Sequence, residues 1–163
     1  MPKKIKLLIV DDEARFLNTL TERLSIRDFD VIATCAAKDA LAQIEKQTFD
    51  LALVDIKMPG MNGEELLAYL KERQPELEVI ILTGHGSIDS AQLCTRLGAF
   101  CYLQKPCETK DLLNVLKSAY AERLRAKLKL EEAEMTALLS ESVGSSPLAI
   151  LRRLRAIMEK RGR

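Results

Sequence analysis

The sequence predicts an α/β fold, in which helices cover both faces of a doubly wound parallel sheet of five strands. Two observations support this prediction. Five short apolar runs recur along the first 106 residues, and segments with helical periodicity separate them. Three of these runs, at 5–10, 51–54 and 78–83, are continuously apolar rather than alternating, which is typical of strands buried on both faces.

The predicted elements alternate along the chain. The strands are IKLLIV (5–10), FDVIAT (29–34), LALV (51–54), EVIILT (78–83) and AFCYL (99–103). The helices between them are EARFLNTLTERLS, KDALAQIEKQ, GEELLAYLKERQP and SIDSAQLCTRLG. Pro75 ends the third helix, and Ser87 and Gly98 bound the fourth. This alternation implies right-handed crossovers, and five strands fit the flavodoxin-like order 2-1-3-4-5.

The last third of the chain contains no predicted strand. Residues 108–139 lack Gly and Pro and predict one long helix. A break at 140–146 follows, and then a short basic helix at 147–160, with proline at its favoured first position. We therefore predict two parts, a domain at 1–120 and a helical extension at 121–163.

Composition is that of an ordinary globular protein, with 47% apolar and 30% charged residues and a net charge of +1. With so small a net charge, the protein as a whole has no electrostatic potential that would favour binding to nucleic acid or to a membrane surface. Residues 1–106 hold 13 Lys+Arg against 16 Asp+Glu, whereas 107–163 hold 12 against 8. No signal peptide or membrane span is predicted, so we expect a cytoplasmic protein. The four cysteines lack metal-binding spacing and are expected to be free, mostly buried thiols.

Polar side chains follow four of the predicted strands, at the edge where an open parallel sheet places its site. They are Asp11 and Asp12 after the first strand, Asp55 after the third, Thr83 at the end of the fourth and Lys105 after the fifth. Each has an ordinary structural interpretation; Asp-Asp-Glu, for example, is a favourable start for a helix. Clustered carboxylates repel one another unless a cation lies among them, however, and such hard oxygen ligands suit Mg²⁺.

The same set suits phosphoryl chemistry. A carboxylate such as Asp55 can act as a nucleophile and form an aspartyl phosphate. Lys105 would supply a point charge for the phosphoryl oxygens, and Thr83 would supply a hydroxyl donor. Asp55 ends an apolar strand, a position that fixes a nucleophile toward a metal ion and a phosphodonor.

Four motifs carry a resemblance to a known family. They are LLIVDDE (7–13), LVDIKMPGMNG (53–63), IILTGHG (80–86) and YLQKP (102–106). In this order and spacing the chain resembles the receiver domain of response regulators over residues 1 to about 120. The resemblance implies a two-component phosphorelay, in which a histidine kinase supplies the phosphoryl group and Asp55 accepts it. A receiver catalyses only its own phosphorylation and slow dephosphorylation, so we do not expect an enzyme in the usual sense.

The resemblance also assigns the site. The Mg²⁺ ligands would be Asp12, Asp55 and the main-chain carbonyl of Lys57, with Asp11 acting through water. The groups that contact the phosphoryl group would be Thr83 and Lys105, with a cis peptide bond between Lys105 and Pro106.

A conformational switch follows from the same resemblance. Phosphorylation adds about −1.5 to −2 charges, draws Thr83 inward and lets Tyr102 turn toward the vacated space. The alternative for Tyr102 is a half-buried core aromatic with its hydroxyl in water. Lys57 and His85 are expected to overhang the site and tune the phosphoryl lifetime. A solvent-facing loop residue is the alternative for His85.

The motifs IKMPGMNG and TGHGS are most similar to those of receivers linked to a transcription-activating ATPase. The segment SVGSSPLAILRRLRAIMEK is faintly similar to the segment that precedes that ATPase domain. No GxxxxGK[ST] phosphate loop follows, so we expect no ATP hydrolysis by that route. The chain is then either a shortened form of a longer protein or a receiver that stands alone with a residual linker.

The C-terminal extension raises two alternatives. Apolar residues from Ala121 to Leu138 recur at steps of three and four over about two heptads, which allows a homodimer through this helix or a solvated single helix. The basic end lacks aromatic residues and a helix-turn-helix, so contact with an unidentified downstream protein is favoured over nucleic acid.

Three other functions compete with this interpretation of the sequence. A phosphorylation-independent receiver-fold scaffold remains the alternative to a phosphoacceptor. A phosphohydrolase of the haloacid-dehalogenase type needs a second aspartate two residues after the nucleophile, where Lys57 stands. A dinucleotide-binding module is excluded because VDDEAR replaces the glycine-rich turn.

Overall fold

Strands and helices alternate from Ile5 to Thr109 in the computed structural model, which describes residues 3–141, 146, 148–149, 151–152 and 155–156. The strands are β1 (Ile5–Val10), β2 (Phe29–Thr34), β3 (Leu51–Val54), β4 (Glu78–Thr83) and β5 (Cys101–Gln104). The helices are α1 (Ala14–Ser25), α2 (Ala37–Lys46), α3 (Gly63–Arg73), α4 (Ile88–Arg96) and α5 (Thr109–Glu141).

The five strands form one parallel sheet in the order β2-β1-β3-β4-β5, which confirms the predicted topology. The strand order reverses between β1 and β3, where a doubly wound sheet opens a crevice. Val10, the last residue of β1, pairs with Val54, the last residue of β3. Because these two strands end level with each other, the residues that follow them are neighbours at the same edge.

Both faces of the sheet are covered, as the continuous apolar runs predict. Alternate residues of β1 and β3 point to opposite faces, because the side-chain period of a strand is two. One face packs against α2, α3 and α4, and the other against α1 and α5. Residues 7–10 and 51–54 are all at most 2% exposed. The ends of the two strands that lead into the crevice are therefore fully enclosed.

The helices on the sheet differ in how firmly they are attached. Helix α3 buries Gly63, Leu66, Leu67 and Leu70, whereas Cys94 is the one buried residue of α4. A hydrogen bond of 2.6 Å from Ser90 Oγ to Glu64 Oε1 joins the first turns of these two helices. Most of the residues of α4 are therefore exposed or only partly buried.

The far edge of the sheet, at the amino ends of the strands, is closed by polar side chains. Asp50 accepts a hydrogen bond of 2.9 Å from the Lys6 amide and one of 3.0 Å from Nε of Arg123. Gln74 accepts from the Phe49 amide at 3.0 Å and donates to the Gln47 carbonyl at 2.9 Å. These bonds satisfy backbone hydrogen-bonding groups of the loop between α2 and β3, and the bond from Arg123 attaches α5 to that loop.

Two details of the sequence prediction are wrong. The fifth strand is predicted at 99–103 but begins at Cys101, because the amide of Ala99 bonds to the Cys94 carbonyl and completes the end of α4. The four cysteines are free, but they are not mostly buried: Cys94 is buried, Cys101 and Cys107 are half-buried, and Cys35 is exposed. Cys35 directly follows β2, which is an edge strand of the sheet that the described residues form.

The chain forms two units, residues 1–124 and 125–163. In the second unit, residues 125–141 belong to α5, and the described residues among 148–156 are helical. The predicted break at 140–146 and the predicted basic helix at 147–160 lie largely outside the described residues. Among the residues described, no helix combines the length and apolar character needed to cross a membrane.

Gly63 allows the loop after β3 to fold back against the strand end. A methyl group at this position would lie 2.2 Å from the carbonyl oxygen of Asp55 and 2.6 Å from Cα of Ile56. The Gly63 amide donates a hydrogen bond of 2.8 Å to the Ile56 carbonyl. Since both clashing atoms belong to the backbone, a side chain cannot be accommodated by a simple rotamer change.

We therefore expect Gly63→Ala to lower the free energy of unfolding by about 3 kcal/mol, the upper part of the usual range for overpacking. Gly60→Ala is the matched control. Gly60 has φ +83° and no atom within 4 Å of an added methyl. Gly60→Ala should therefore lower the free energy of unfolding by about 1–2 kcal/mol, because alanine is strained in this left-handed backbone conformation. Urea unfolding followed by circular dichroism compares the two. A Gly63→Ala cost no larger than that of Gly60→Ala would contradict the close backbone approach.

Candidate functional site

The edge of the sheet at the ends of β1 and β3 holds a cluster of carboxylates. Asp11 and Asp55 directly follow these strands and are 2% and 3% exposed, respectively. The ladder of hydrogen bonds continues through both residues: the Asp11 amide bonds to the Thr34 carbonyl at 3.2 Å, and the Asp55 amide to the Val10 carbonyl at 3.0 Å. Asp12 begins the loop and is exposed. One carboxylate oxygen from each of the three aspartates lies within 4.8 Å of the other two.

The Lys105 ammonium reaches into this cluster from the end of β5. Its Nζ lies 2.5 Å from Asp11 Oδ2, 3.3 Å from Glu13 Oε1 and 3.6 Å from Asp55 Oδ2. The Lys105 amide bonds to the Thr83 carbonyl at 2.8 Å, which fixes the start of the side chain. The peptide bond between Lys105 and Pro106 is cis, which confirms the expectation from the sequence.

Burial and the neighbouring charged groups shift the pKa values of Asp11 and Lys105 in opposite directions. Burial raises the pKa of Asp11 above its ordinary value, although the hydrogen bonds from Lys105 and the Glu13 amide act to lower it. Burial acts to lower the pKa of Lys105, but its hydrogen bond to Asp11 and the negative charges of Asp11 and Asp55 outweigh burial and raise it. Lys105 therefore remains a cation at neutral pH.

The donor set fits a hard divalent cation. Three carboxylates face one ammonium, so negative charge is in excess. The Oδ1 atom of Asp55 is buried and has no hydrogen-bond partner in the part of the chain that the structure describes. An unsatisfied buried carboxylate oxygen is costly, and a metal ion bound there would compensate it. Oxygen ligands with room for water and phosphate oxygens are those that Mg²⁺ prefers.

Thr83 lies beside the cluster at the end of β4. It is fully buried, and its Oγ1 accepts a hydrogen bond of 3.2 Å from the His85 amide. A hydroxyl that accepts through a lone pair keeps its own hydrogen free to donate. The His85 side chain is exposed on the loop that follows, and the Lys57 side chain is exposed on the loop after β3.

Tyr102 extends beneath the loop that carries His85. The residue is half-buried and packs against the cluster of apolar side chains shared by α2, α3 and α4. Its hydroxyl is buried and has no partner among the described residues. The alternative in which this hydroxyl lies in water is therefore wrong. A methyl group on Gly86 would lie 2.8 Å from the Tyr102 hydroxyl oxygen, so the ring occupies the space that this glycine leaves.

The structure brings Asp11, Asp12, Asp55 and Lys105 together, with Thr83 at the neighbouring strand end. Sequence reasoning missed two contacts of Lys105, which are Glu13 and Phe16. The Asp-Asp-Glu sequence predicts a capping role for Glu13, but its side chain makes no capping bond and accepts a hydrogen bond from Lys105 instead. Phe16 packs partly against the core beneath α1, and its ring centroid lies 4.0 Å from Lys105 Nζ.

Comparison with known proteins identifies relatives over most of the chain. The family model described as the response regulator receiver domain matches residues 7–117. The alginate biosynthesis transcriptional regulatory protein AlgB of Pseudomonas aeruginosa is 33% identical over 134 residues, which are 82% of this chain and 30% of AlgB. The chain thus spans less than a third of that regulator.

Solved structures share the fold. The CheY-like response regulator receiver domain protein of Methanospirillum hungatei JF-1 superposes with a TM-score of 0.74 at 33% identity, covering 76% of this chain and 98% of that one. NtrX of Brucella abortus, solved in complex with ATP, gives a TM-score of 0.71 at 31% identity, covering 80% of this chain and 29% of that one. The resemblance to receivers of larger regulators is confirmed.

The contact between Gly86 and Tyr102 makes a testable prediction. In Gly86→Ala the added methyl meets the far end of a flexible side chain, so we expect the Tyr102 ring to turn outward with little loss of stability. Nitration by tetranitromethane, located by mass spectrometry, should become faster at Tyr102. Gly84→Ala is the matched control, because its nearest atoms lie at 4.0 Å, and it should react like the wild type. An unchanged Tyr102 rate in Gly86→Ala would contradict the prediction.

Proposed function

The chain belongs to the response regulator receiver domain family, and on that premise we propose that it is the phosphoacceptor of a two-component phosphorelay. The observation that carries the proposal is the cluster of Asp11, Asp12 and Asp55 with the Lys105 ammonium beside it. A receiver is a signalling module rather than a classical enzyme. The proposed division is a receiver at 1–120 with a helical extension at 121–163, in a cytoplasmic protein.

In the proposed reaction the Asp55 carboxylate attacks the phosphorus of a phosphohistidine on the kinase. The new bond joins an Asp55 oxygen to phosphorus, the bond from phosphorus to the imidazole nitrogen breaks, and that nitrogen takes up a proton. Burial of Asp55 at the end of a rigid strand supports this role, because it holds the nucleophile in one position.

Residues of this chain would hold Mg²⁺ during the transfer. Asp12, Asp55 and the main-chain carbonyl of Lys57 are the proposed direct ligands, and Asp11 is proposed to act through water. When bound, the ion would supply positive charge to the phosphoryl oxygens, as it does in other phosphoryl transfers. The buried and unpaired Oδ1 of Asp55 supports this assignment.

Lys105 and Thr83 are proposed to contact the phosphoryl group. The Lys105 ammonium, 3.6 Å from Asp55, is close enough to pair with an oxygen of a phosphoryl group on that carboxylate. The Thr83 hydroxyl accepts from the His85 amide and can donate its own hydrogen. Lys57 and His85, both exposed next to the site, are proposed to affect access of the hydrolytic water and hence the lifetime.

The proposed output is a change in a protein-binding surface. Phosphorylation adds about −1.5 to −2 charges and three acceptor oxygens, and Thr83 is drawn toward them. Tyr102 already lies beneath the adjacent loop, and α4 follows that loop with one buried side chain. A ligand or modification with a few kcal/mol of differential stabilisation is enough to shift such a two-state equilibrium. The partner is proposed to be a protein rather than nucleic acid.

Incubation with acetyl phosphate, with and without Mg²⁺, tests the phosphoacceptor. Intact-mass spectrometry should detect one added phosphoryl group on the wild type only when Mg²⁺ is present, and none on Asp55→Asn. Asp30→Asn, an exposed aspartate on β2, is the matched control and should be modified like the wild type. No modification of the wild type would favour the phosphorylation-independent scaffold. Modification of Asp55→Asn would place the acceptor elsewhere.

A homodimer through α5 is the second part of the proposal. Leu124, Leu128 and Met135 are 43–58% exposed, and they are spaced four and seven residues apart on one side of a helix. Exposed apolar side chains in this pattern are typical of a helix that pairs with a second copy.

Light scattering after size-exclusion chromatography tests the dimer, on phosphorylated and unphosphorylated protein. We expect Leu128→Glu to shift the chain toward monomer, because it puts a charge in the apolar contact. Ala133→Glu introduces the same charge on the opposite side of the helix and should leave the size unchanged. A wild type that is monomeric in both states would show that α5 remains a single solvated helix.

A further inference from the structure

The Lys105 ammonium has an aromatic neighbour in addition to its carboxylates. The centroid of the Phe16 ring lies 4.0 Å from Nζ, on the first turn of α1. Three carboxylate oxygens, from Asp11, Glu13 and Asp55, lie at 2.5–3.6 Å from the same atom. The ammonium is thus held both by charge and by the face of a ring.

A ring attracts a cation through the negative charge of its π face, and the attraction grows when water is excluded. The Lys105 side chain is only 11% exposed, so the interaction is shielded from bulk solvent. The lysine side chain is long and rotatable and would otherwise retain considerable rotamer freedom. The ring reduces that freedom without adding charge to the site.

The absence of charge on the ring matters because the proposed substrate is an anion. A further carboxylate would hold the ammonium equally well, but it would repel an incoming phosphoryl group. Asp11, at 2.5 Å, already draws Lys105 away from Asp55, at 3.6 Å. A neutral contact such as Phe16 can hold Nζ within reach of both carboxylates and leaves the field around Asp55 unchanged.

We propose that Phe16 is a positioning residue for Lys105, which keeps the ammonium beside Asp11 and Asp55 and thereby accelerates phosphoryl transfer. The effect on transfer rests on the proposed function, whereas the effect on Lys105 itself does not. Phe16 acts through the lysine and does not touch the phosphoryl group.

Simple packing is the competing explanation for a half-buried phenylalanine. A space of about 80 Å³ is lined by Phe16, Leu20, Cys107 and Leu112, among others. The ring therefore has free volume on that side, and close packing alone does not fix it. The test must separate the electrostatic character of the ring from its size.

Fluorinated phenylalanines at position 16 make that separation, because successive fluorines weaken the π face while nearly preserving the shape of the ring. We expect the initial rate of phosphorylation by acetyl phosphate to fall in graded steps with fluorine number. Phe16→Leu should lower it about threefold to tenfold, and Phe16→Tyr should stay within about twofold of the wild type. Leu20→Met, which changes the same space but not the ring, is the matched control.

Proton NMR of the Lys105 ε-methylene group provides a readout that needs no phosphorylation. A ring 4.0 Å from Nζ should shift these protons upfield in the wild type and in Phe16→Tyr, and the shift should disappear in Phe16→Leu. An unchanged Lys105 signal in Phe16→Leu would overturn the proposal, whether or not the chain accepts phosphate. A rate that falls in Phe16→Leu but not with fluorination would also overturn it, in favour of packing. If the wild type is not phosphorylated, the proposed function fails, and the NMR series still decides whether the Phe16 ring lies against the Lys105 side chain in solution, which is the contact that the positioning role requires.

Discussion

The structure depends on an imbalance of charge at the carboxyl edge of the sheet. Asp11, Asp12 and Asp55 bring three negative charges within 4.8 Å of one another, and Lys105 offsets only one of them. A folded chain can hold such a cluster only if the surrounding backbone is rigid enough to resist its repulsion. The buried carboxyl-terminal parts of strands β1 and β3 provide that rigidity, and their level ends fix the spacing of the two buried carboxylates. The remaining excess of charge is what makes the three carboxylates suitable ligands for a cation.

Neutral groups around that cluster hold its polar and charged side chains in place without adding or removing charge. Thr83 is fixed by the His85 amide, and Lys105 by the Thr83 carbonyl, by the carboxylates and by the Phe16 ring. Gly63 lets the next loop close directly over the Asp55 backbone. The common physical feature is preorganisation: Asp55 and Lys105, which would meet a phosphoryl group first, already lie 3.6 Å apart before it arrives.

Much of this architecture could be predicted from the sequence. Continuous apolar runs predicted the doubly covered strands, and the rule that parallel strands share one open edge predicted that Asp11, Asp55 and Lys105 would meet. The rest depends on side-chain direction, which periodicity does not determine. Glu13 serves as a helix cap by sequence position, yet its side chain turns to Lys105. Phe16 lies on the apolar face of α1, and no pattern shows that its ring faces an ammonium. The buried position of the Tyr102 hydroxyl likewise depends on the space that Gly86 leaves by having no side chain.

The shallow attachment of α4 has a consequence for how the molecule opens. With Cys94 as its one buried residue, this helix can detach at a small fraction of the free energy that unfolds the sheet. Its amides should therefore exchange with deuterated solvent well before those of α3, through an opening that leaves the five strands paired. A binding partner that captures the detached helix would then have to supply only the free energy of this local opening, and not that of unfolding the domain.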